Sequence, residues 1–369
     1  MTIPVLSRMV MGLALFGFLA GSLAAFSRPQ SAETHPAGSG TPSNAPDEPF
    51  IGEFSLEAAL RFSQKTADDW ARDRNCVTCH TNGLHLISAS RLAPKSTGNR
   101  RTREYAAEYL KRYVVDHTPP SRQHGSVEGK VATACFLALS DMATNGQLSS
   151  ITRKGIDHLW TLQEEDGSWS QWLKCGWPPY ESDDHFGVTL VALTMSRLPS
   201  SEISSKAATN GISRLKNWLK SHPPEHLHHK GMLTWIACEW KDFIPKDELK
   251  SWQSELLSTQ RPDGGWRLVD LGDSEWKRPD DVVSDLPSDA YATAFSVFTL
   301  RNSGLSANHP SIAKGLQWLR SQQRRGGGWF TRSPRRDGHH FISHAATHFA
   351  LLAFRSCESK LPAPVKSDR

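Results

Sequence analysis

Apart from one stretch near its start, this chain lacks any long apolar run. That stretch, from Met9 to Phe26, holds no charged residue, and Arg8 is the only charge before it. No later segment is long and apolar enough to cross a bilayer. An excess of one charge is missing too: 43 basic and 38 acidic residues leave +5 on 369 residues. The paired arginines (Arg100 and Arg101, Arg324 and Arg325, Arg335 and Arg336) fall in separate polar stretches. No segment concentrates the positive charge that a nucleic-acid surface requires, so no nucleic-acid partner is expected. Cysteine is sparse, with six residues at 76, 79, 135, 175, 238 and 357. Only the first two are close in sequence, which excludes the dense framework of a small disulfide-stapled domain.

What is present begins with an address. A short basic start, an apolar stretch and a small-residue exit (Ala20, Gly21, Ser22, Ala24, Ala25) describe a secretory signal over residues 1–27. Left uncut, residues 9–26 would instead serve as a membrane tether. Residues 28–50 are rich in Pro, Gly, Ser and Ala, cannot bury enough surface to offset their ordering entropy, and read as a disordered linker. The expected location is therefore extracytoplasmic or periplasmic, with a membrane-anchored form as the alternative. Residues 358–369 read as a flexible tail.

Thirteen tryptophans are many, and three of them punctuate a repeat. Gln163-Glu-Glu-Asp-Gly167-Ser-Trp169, Gln260-Arg-Pro-Asp-Gly264-Gly-Trp266 and Gln323-Arg-Arg-Gly-Gly327-Gly-Trp329 each follow a helical stretch with one charged side. Each precedes an apolar helix without a wide polar face, over 183–195, 288–301 and 341–354, which reads as buried. Weaker hairpins fill the gaps: 105–116 with 127–142, 211–222 with 230–240, and 56–70 with 83–92. Six outer–inner hairpins predict an all-α fold, a single α6/α6 toroid. Its first, most degenerate hairpin lies in residues 51–100 and the clearer repeats in 101–357.

The Gln-x-x-x-Gly-x-Trp element after an outer helix resembles the repeat of squalene-hopene and oxidosqualene cyclases and of protein prenyltransferase β subunits. The resemblance implies that these residues stabilise the barrel and do no chemistry. It also implies that a triterpene cyclase holds its substrate between two such domains, and this chain has residues for one. The family's protonating D-x-D-D motif is matched in outline by Glu181-Ser182-Asp183-Asp184, with Glu in the first place and His185-Phe186 where the family has Thr-Ala. Asp183, Asp184 and Glu181 are thus candidate catalytic acids, because adjacent carboxyls can hold one of their number protonated. Capping of the following helix is the plainer alternative. Ser288-Asp289-Ala290-Tyr291-Ala292-Thr293 resembles the prenyltransferase D-x-Y-H-T stretch, but Ala292 replaces the zinc-binding His. No zinc is expected, and Asp289 or Ser288 reads as a helix cap.

The sharpest chemical motif is Cys76-Val-Thr-Cys79-His80, the spacing of covalent haem c attachment through two thioethers, with His80 as ligand to the haem iron. A disulfide loop and a loose metal site stay open beside it. His340, His344 and His348 recur every four residues on one helical face, and His226, His228 and His229 precede another inner helix. They suit a polar cavity lining, a metal or a distal haem ligand.

Three functions remain in view: a haem-bearing redox or hydrophobic-ligand-binding module, a terpene cyclase-like enzyme, and a structural scaffold. The expected partners are a redox protein or a hydrophobic small molecule such as an isoprenoid, held among Tyr180, Phe186, Tyr291, Phe295 and Phe341.

Overall fold

The computed structural model describes residues 44–118, 127–169, 184–240, 243–272, 278, 288–335, 337–338 and 340–357. The expected signal (1–27), most of the linker and the tail lie outside them. No helix among the described residues is long and apolar enough to cross a membrane.

Outer helices α1 (Leu56–Arg74), α3 (Thr97–Val114), α5 (Ser150–Thr161), α7 (Lys206–Ser221), α9 (Lys246–Ser258) and α11 (Pro310–Gln322) alternate with inner ones. The inner helices are α2 (Asn82–Leu92), α4 (Thr133–Asn145), α6 (His185–Arg197), α8 (Leu227–Ala237), α10 (Ala290–Asn302) and α12 (Ile342–Cys357). Each inner helix packs on the next, and α12 returns to α2, so the ring closes. The fold is the α6/α6 toroid that the repeats predict. Four of its outer helices start at a serine cap: Ser55, Ser96, Ser149 and Ser205 each accept a backbone N–H from the first turn. The inner helices are apolar all round; every residue from Ala290 to Leu300 in α10 is buried.

The repeat element works the same way three times. The Gln163 amide donates to Gly167 O and to Gly211 O in α7, both at 3.0 Å. Gln260 donates to Gly264 O at 2.8 Å and to Ser311 O in α11 at 2.9 Å. Gln323 donates to Gly327 O and to Ser55 O, both at 2.8 Å. Each Trp indole N–H donates to the carbonyl ten residues back: Trp169 to Leu159, Trp266 to Leu256 and Trp329 to Leu319. Each Gly has φ near +100°, a region that a Cβ strains. One side chain thus satisfies the open carbonyls of its own turn and of the next outer helix.

The third copy joins the ring's end to its beginning. Ser55 N donates back to Gln323 Oε1 at 2.8 Å, and Ile51 N donates to Gln323 O at 2.8 Å. Arg325 N donates to Pro49 O at 2.8 Å, while the Phe54 ring packs on Phe354 at 4.6 Å. Residues 47–55, which the sequence places at the linker's edge, therefore form a strap across this seam.

The seam is testable with two glycines of similar backbone. A Cβ on Gly327 (φ +98°) would sit 2.2 Å from Ala58 O, whereas one on Gly304 (φ +91°) meets nothing within 4 Å. Gly304→Ala should cost about 1–2 kcal/mol for the left-handed backbone alone. Gly327→Ala should cost clearly more, read from denaturant midpoints. Truncating the buried Trp169, Trp266 or Trp329 to Ala should cost about 3–5 kcal/mol each. Equal effects at the two glycines would contradict the close approach at the seam.

Candidate functional site

All six inner helices run the same way, so their N-terminal ends gather at one end of the barrel. The outer-to-inner connections lie there, and they carry nearly every candidate residue. Glu181 and Asp183 lie outside the described residues. Asp184 is described: it stands at the N-cap position of α6, yet its side chain makes no capping bond. The capping alternative is met instead at Asp289, whose carboxylate accepts Ala292 N at 3.0 Å and Thr331 Oγ1 at 3.3 Å. Burial raises the Asp289 carboxyl to about 6.

Cys76, Cys79 and His80 occupy the turn between α1 and α2, the place taken by the Gln–Gly–Trp element in three of the other hairpins. Asn75 ends α1 in a left-handed conformation (φ 49°) and swings the chain into this turn. Both cysteines are half-buried, and neither forms a disulfide among the described residues. The Trp70 indole N–H reaches Cys76 Sγ at 3.3 Å, and burial raises the Cys76 thiol. The His80 ring meets Trp70 edge-on at 4.7 Å and lies parallel to Phe341 at 5.5 Å. His80 Nδ1 is hydrogen-bonded to Thr81 Oγ1 at 2.7 Å, and that hydroxyl also meets His344 Nδ1 at 2.9 Å.

Behind this turn the histidines form a connected set. His344 and His348 share a face of α12 as their spacing predicts. His340 precedes the helix and instead accepts Ser333 N at Nδ1, 3.0 Å away. His348 Nδ1 is bonded to Ser88 Oγ at 3.0 Å, and His85 Nδ1 to Ser63 Oγ at 2.7 Å. The His85 and His348 rings stand 5.9 Å apart. The sequence reading missed His85 and its serines, although His85 and Ser88 in an otherwise apolar inner helix are a visible signal. Burial pushes His85 and His344 down to about 4, and His80 and His348 well below the usual histidine value. All four are therefore neutral near pH 7. Among the described residues no group of three or more His, Cys, Asp or Glu side chains is arranged to hold a metal ion.

A second feature is a cleft of about 410 Å³, lined by Asp166, Asp184, His185, Trp218, Glu225 and His229, among others. His185 stacks on His229 at 4.0 Å. His228, by contrast, turns inward, 2.8 Å from Tyr291 Oη. Helix α8 starts at Leu227, so His228 and His229 sit in its first turn instead of before it. Of the expected aromatic lining, Tyr291 and Phe295 are consumed by the core, where both pack on Phe349 at 5.7 and 5.1 Å. Phe341 belongs to the His80 turn, and Tyr180 lies outside the described residues.

No protein-family model matches the chain, and no curated protein matches its sequence. Solved structures do match its fold. A polysaccharide lyase superposes with a TM-score of 0.51 at 11% identity, over 81% of this chain and 97% of that one. The unsaturated glucuronyl hydrolase of Bacillus sp. GL1, described as responsible for glycosaminoglycan degradation, gives 0.50 at 13% identity, over 82% and 96%. The ent-copalyl diphosphate synthase of Streptomyces platensis gives 0.49 at 12% identity, over 75% of this chain and half of that one. At these identities the likeness is one of fold, and the cyclase overlap is too loose to carry an argument. The chain is an α/α toroid.

His85 makes the site's electrostatics measurable. Its ordinary value of 6.5 falls to about 4 in the folded protein, so between those values the unfolded chain binds a proton that the native one refuses. The contribution is complete above about pH 6.5 and is lost as the pH falls toward 4. Denaturant unfolding of the protein and of His85→Gln should show a shallower pH dependence in the variant across that window. Identical slopes would mean that His85 is not held neutral.

Proposed function

We propose that this toroid is an extracytoplasmic electron-transfer module carrying a haem c bound covalently at Cys76 and Cys79, with His80 as an iron ligand. The observation that carries the reading is the position of this motif. Cysteines and histidine stand where three other hairpins carry the Gln–Gly–Trp turn, at the end where the inner helices begin, and aromatic rings hold the imidazole there. The surroundings fit the group. Both thiols are partly exposed, as thioether formation requires. The tie from His80 Nδ1 to Thr81 fixes the ring and makes Nε2 the nitrogen that would meet iron. Burial keeps the imidazole neutral, the form that ligates. The Tyr105 hydroxyl, coupled electrostatically to Cys76, is buried without a hydrogen-bond partner, as a side chain beside a group of this kind can be.

A bound haem supplies one-electron chemistry whose potential follows from its axial ligands and burial. The chain's own part is to orient the ligand, shield it from water and surround it with neutral side chains. Trp70 and Phe341 pack against His80, and the neutral His344 and His348 add no charge beside it. The partner would then be a redox protein approaching the barrel's N-terminal end.

A second reading is acid–base catalysis in the cleft beside Asp184, favoured by the meeting of Asp184, His185 and His229 there. Cyclisation of an isoprenoid inside the barrel would have to displace the packed rings of Trp235, Tyr291, Phe295, Phe298 and Phe349. A polar substrate suits the cleft better, and the chemistry of the glycan-acting toroids is one option beside that of the cyclases.

Expression in a host that matures c-type cytochromes separates the readings. The protein should show a haem Soret band and keep its haem on a denaturing gel. The Cys76→Ala, Cys79→Ala double variant should lose it, and His80→Ala should alter the spectrum while attachment persists. A colourless product from that host would overturn the haem reading. The second reading predicts turnover of a polar substrate such as a uronate glycan, which Asp184→Asn abolishes with folding intact. Equal turnover in the variant would dismiss it.

A further inference from the structure

The opposite end of the barrel, where the inner helices finish, is built from cations. Arg91, Arg197, Arg301 and Arg355 stand in the last turns of α2, α6, α10 and α12. A cation near a helix C-terminus is ordinary, because the free carbonyls there favour it. Arg301 behaves in this ordinary way, donating to Ser356 O at 3.2 and 3.1 Å and to Leu305 O. The other three do not. Arg91 is half-buried and rests over the Trp235 ring, 5.8 Å from its centroid, with no hydrogen-bond acceptor among the described residues. Arg355 has none either. Arg197 pairs with Glu239 at 2.9 Å, yet its Nε is buried and unsatisfied.

These groups also feel one another. The Arg91 guanidinium is pushed down to about 10, first by burial and then by repulsion from Arg197 and Arg355, with Glu239 and the Cys238 thiol opposing. The Cys238 thiol is already engaged, donating to Asn302 O at 2.9 Å. Among the described residues Glu239 is the one carboxylate paired at this place, while Arg91 and Arg197 are partly desolvated and the exposed Arg355 repels Arg91 from nearby, which leaves an excess of positive charge. Such an excess is costly unless an anion completes it. Trp235 and Glu239 stand one turn apart at the end of α8, so the Arg91 and Arg197 guanidinium groups meet at that helix end, and each can donate two parallel bonds to the oxygens of a tetrahedral oxyanion.

We propose that Arg91, Arg197 and Arg355 form a binding site for a small soluble phosphate-bearing anion, at the end of the barrel remote from His80, with Glu239 as its built-in competitor. Glu239 holds Arg197 while the site is empty, and the incoming phosphate takes over that guanidinium. Affinity should therefore rise when Glu239 loses its charge. A purely structural cluster would bind phosphate no better than chloride, whether or not Glu239 keeps its charge.

The test measures thermal midpoints and isothermal titration heats of the full chain with inorganic phosphate, against chloride at matched ionic strength. Phosphate should raise the midpoint saturably and chloride should not. Glu239→Gln should tighten phosphate binding several-fold. Arg91→Gln should weaken it at least tenfold. Arg355→Gln, at an exposed position that folding does not need, should weaken it about threefold and keeps the test open if the Arg91 variant fails to fold. Flotation with vesicles containing phosphatidic acid distinguishes a lipid headgroup as the source of the same chemistry. Vesicle binding without saturable binding of free phosphate would overturn the proposal. So would a phosphate response no larger than that of chloride, an undiminished response in Arg355→Gln, or weaker binding in Glu239→Gln.

Discussion

The structure depends on one side-chain amide used three times. Each repeat glutamine satisfies a carbonyl of its own turn and a carbonyl at the start of an outer helix further round the ring. A backbone carbonyl buried without a partner costs about 1–3 kcal/mol, so the amide removes two such penalties with one group. More to the point, it fixes distance and angle between outer helices that are not adjacent in sequence. Burial of the inner helices alone would favour compaction without choosing a ring. The glutamine, the left-handed glycine and the indole that closes over them choose it. Gln323 has the decisive position, since its amide ties α11 to the cap of α1 from both directions.

Much of this was legible in the sequence, and the reason is periodicity. Three Gln–Gly–Trp elements in one phase identify the connection type. Inner helices without a polar face identify the layer, and together they predict six hairpins and closure. The strap over residues 47–55 was hidden because each of its hydrogen bonds across the seam has a backbone group on at least one side and a partner more than 260 residues away, so no local pattern marks it. The start of α8 at Leu227 was hidden because a run of histidines disguises a first helical turn.

The chemistry was only partly legible. Cys76, Cys79 and His80 announce themselves by spacing, and the fold brings them to the barrel's end beside Trp70 and Phe341. The neutral, serine-bridged pair of His85 and His348 joins residues 263 positions apart in sequence, on opposite sides of the seam, and no local pattern encodes such a pairing. Asp184 kept its place at a helix start but not the bond that a cap would make. The arginines at the other end were in plain view, one in the last turn of each of four inner helices. Their meaning depends on which of them find acceptors, and only geometry reveals that.

The closed seam has a bearing on how the motif at Cys76 came to be tolerated. An open stack of helical repeats has two exposed ends, and its terminal units, supported from one side, must be stable enough to stand there. A ring has no terminal unit. The first hairpin is flanked by α3 on one side and, through the Gln323 joint, by α11 and α12 on the other. It can therefore lose its own Gln–Gly–Trp turn and still be held in register by its neighbours. Architectural redundancy of this sort leaves the first hairpin free to carry a different turn, and that is where the chain places Cys76, Cys79 and His80.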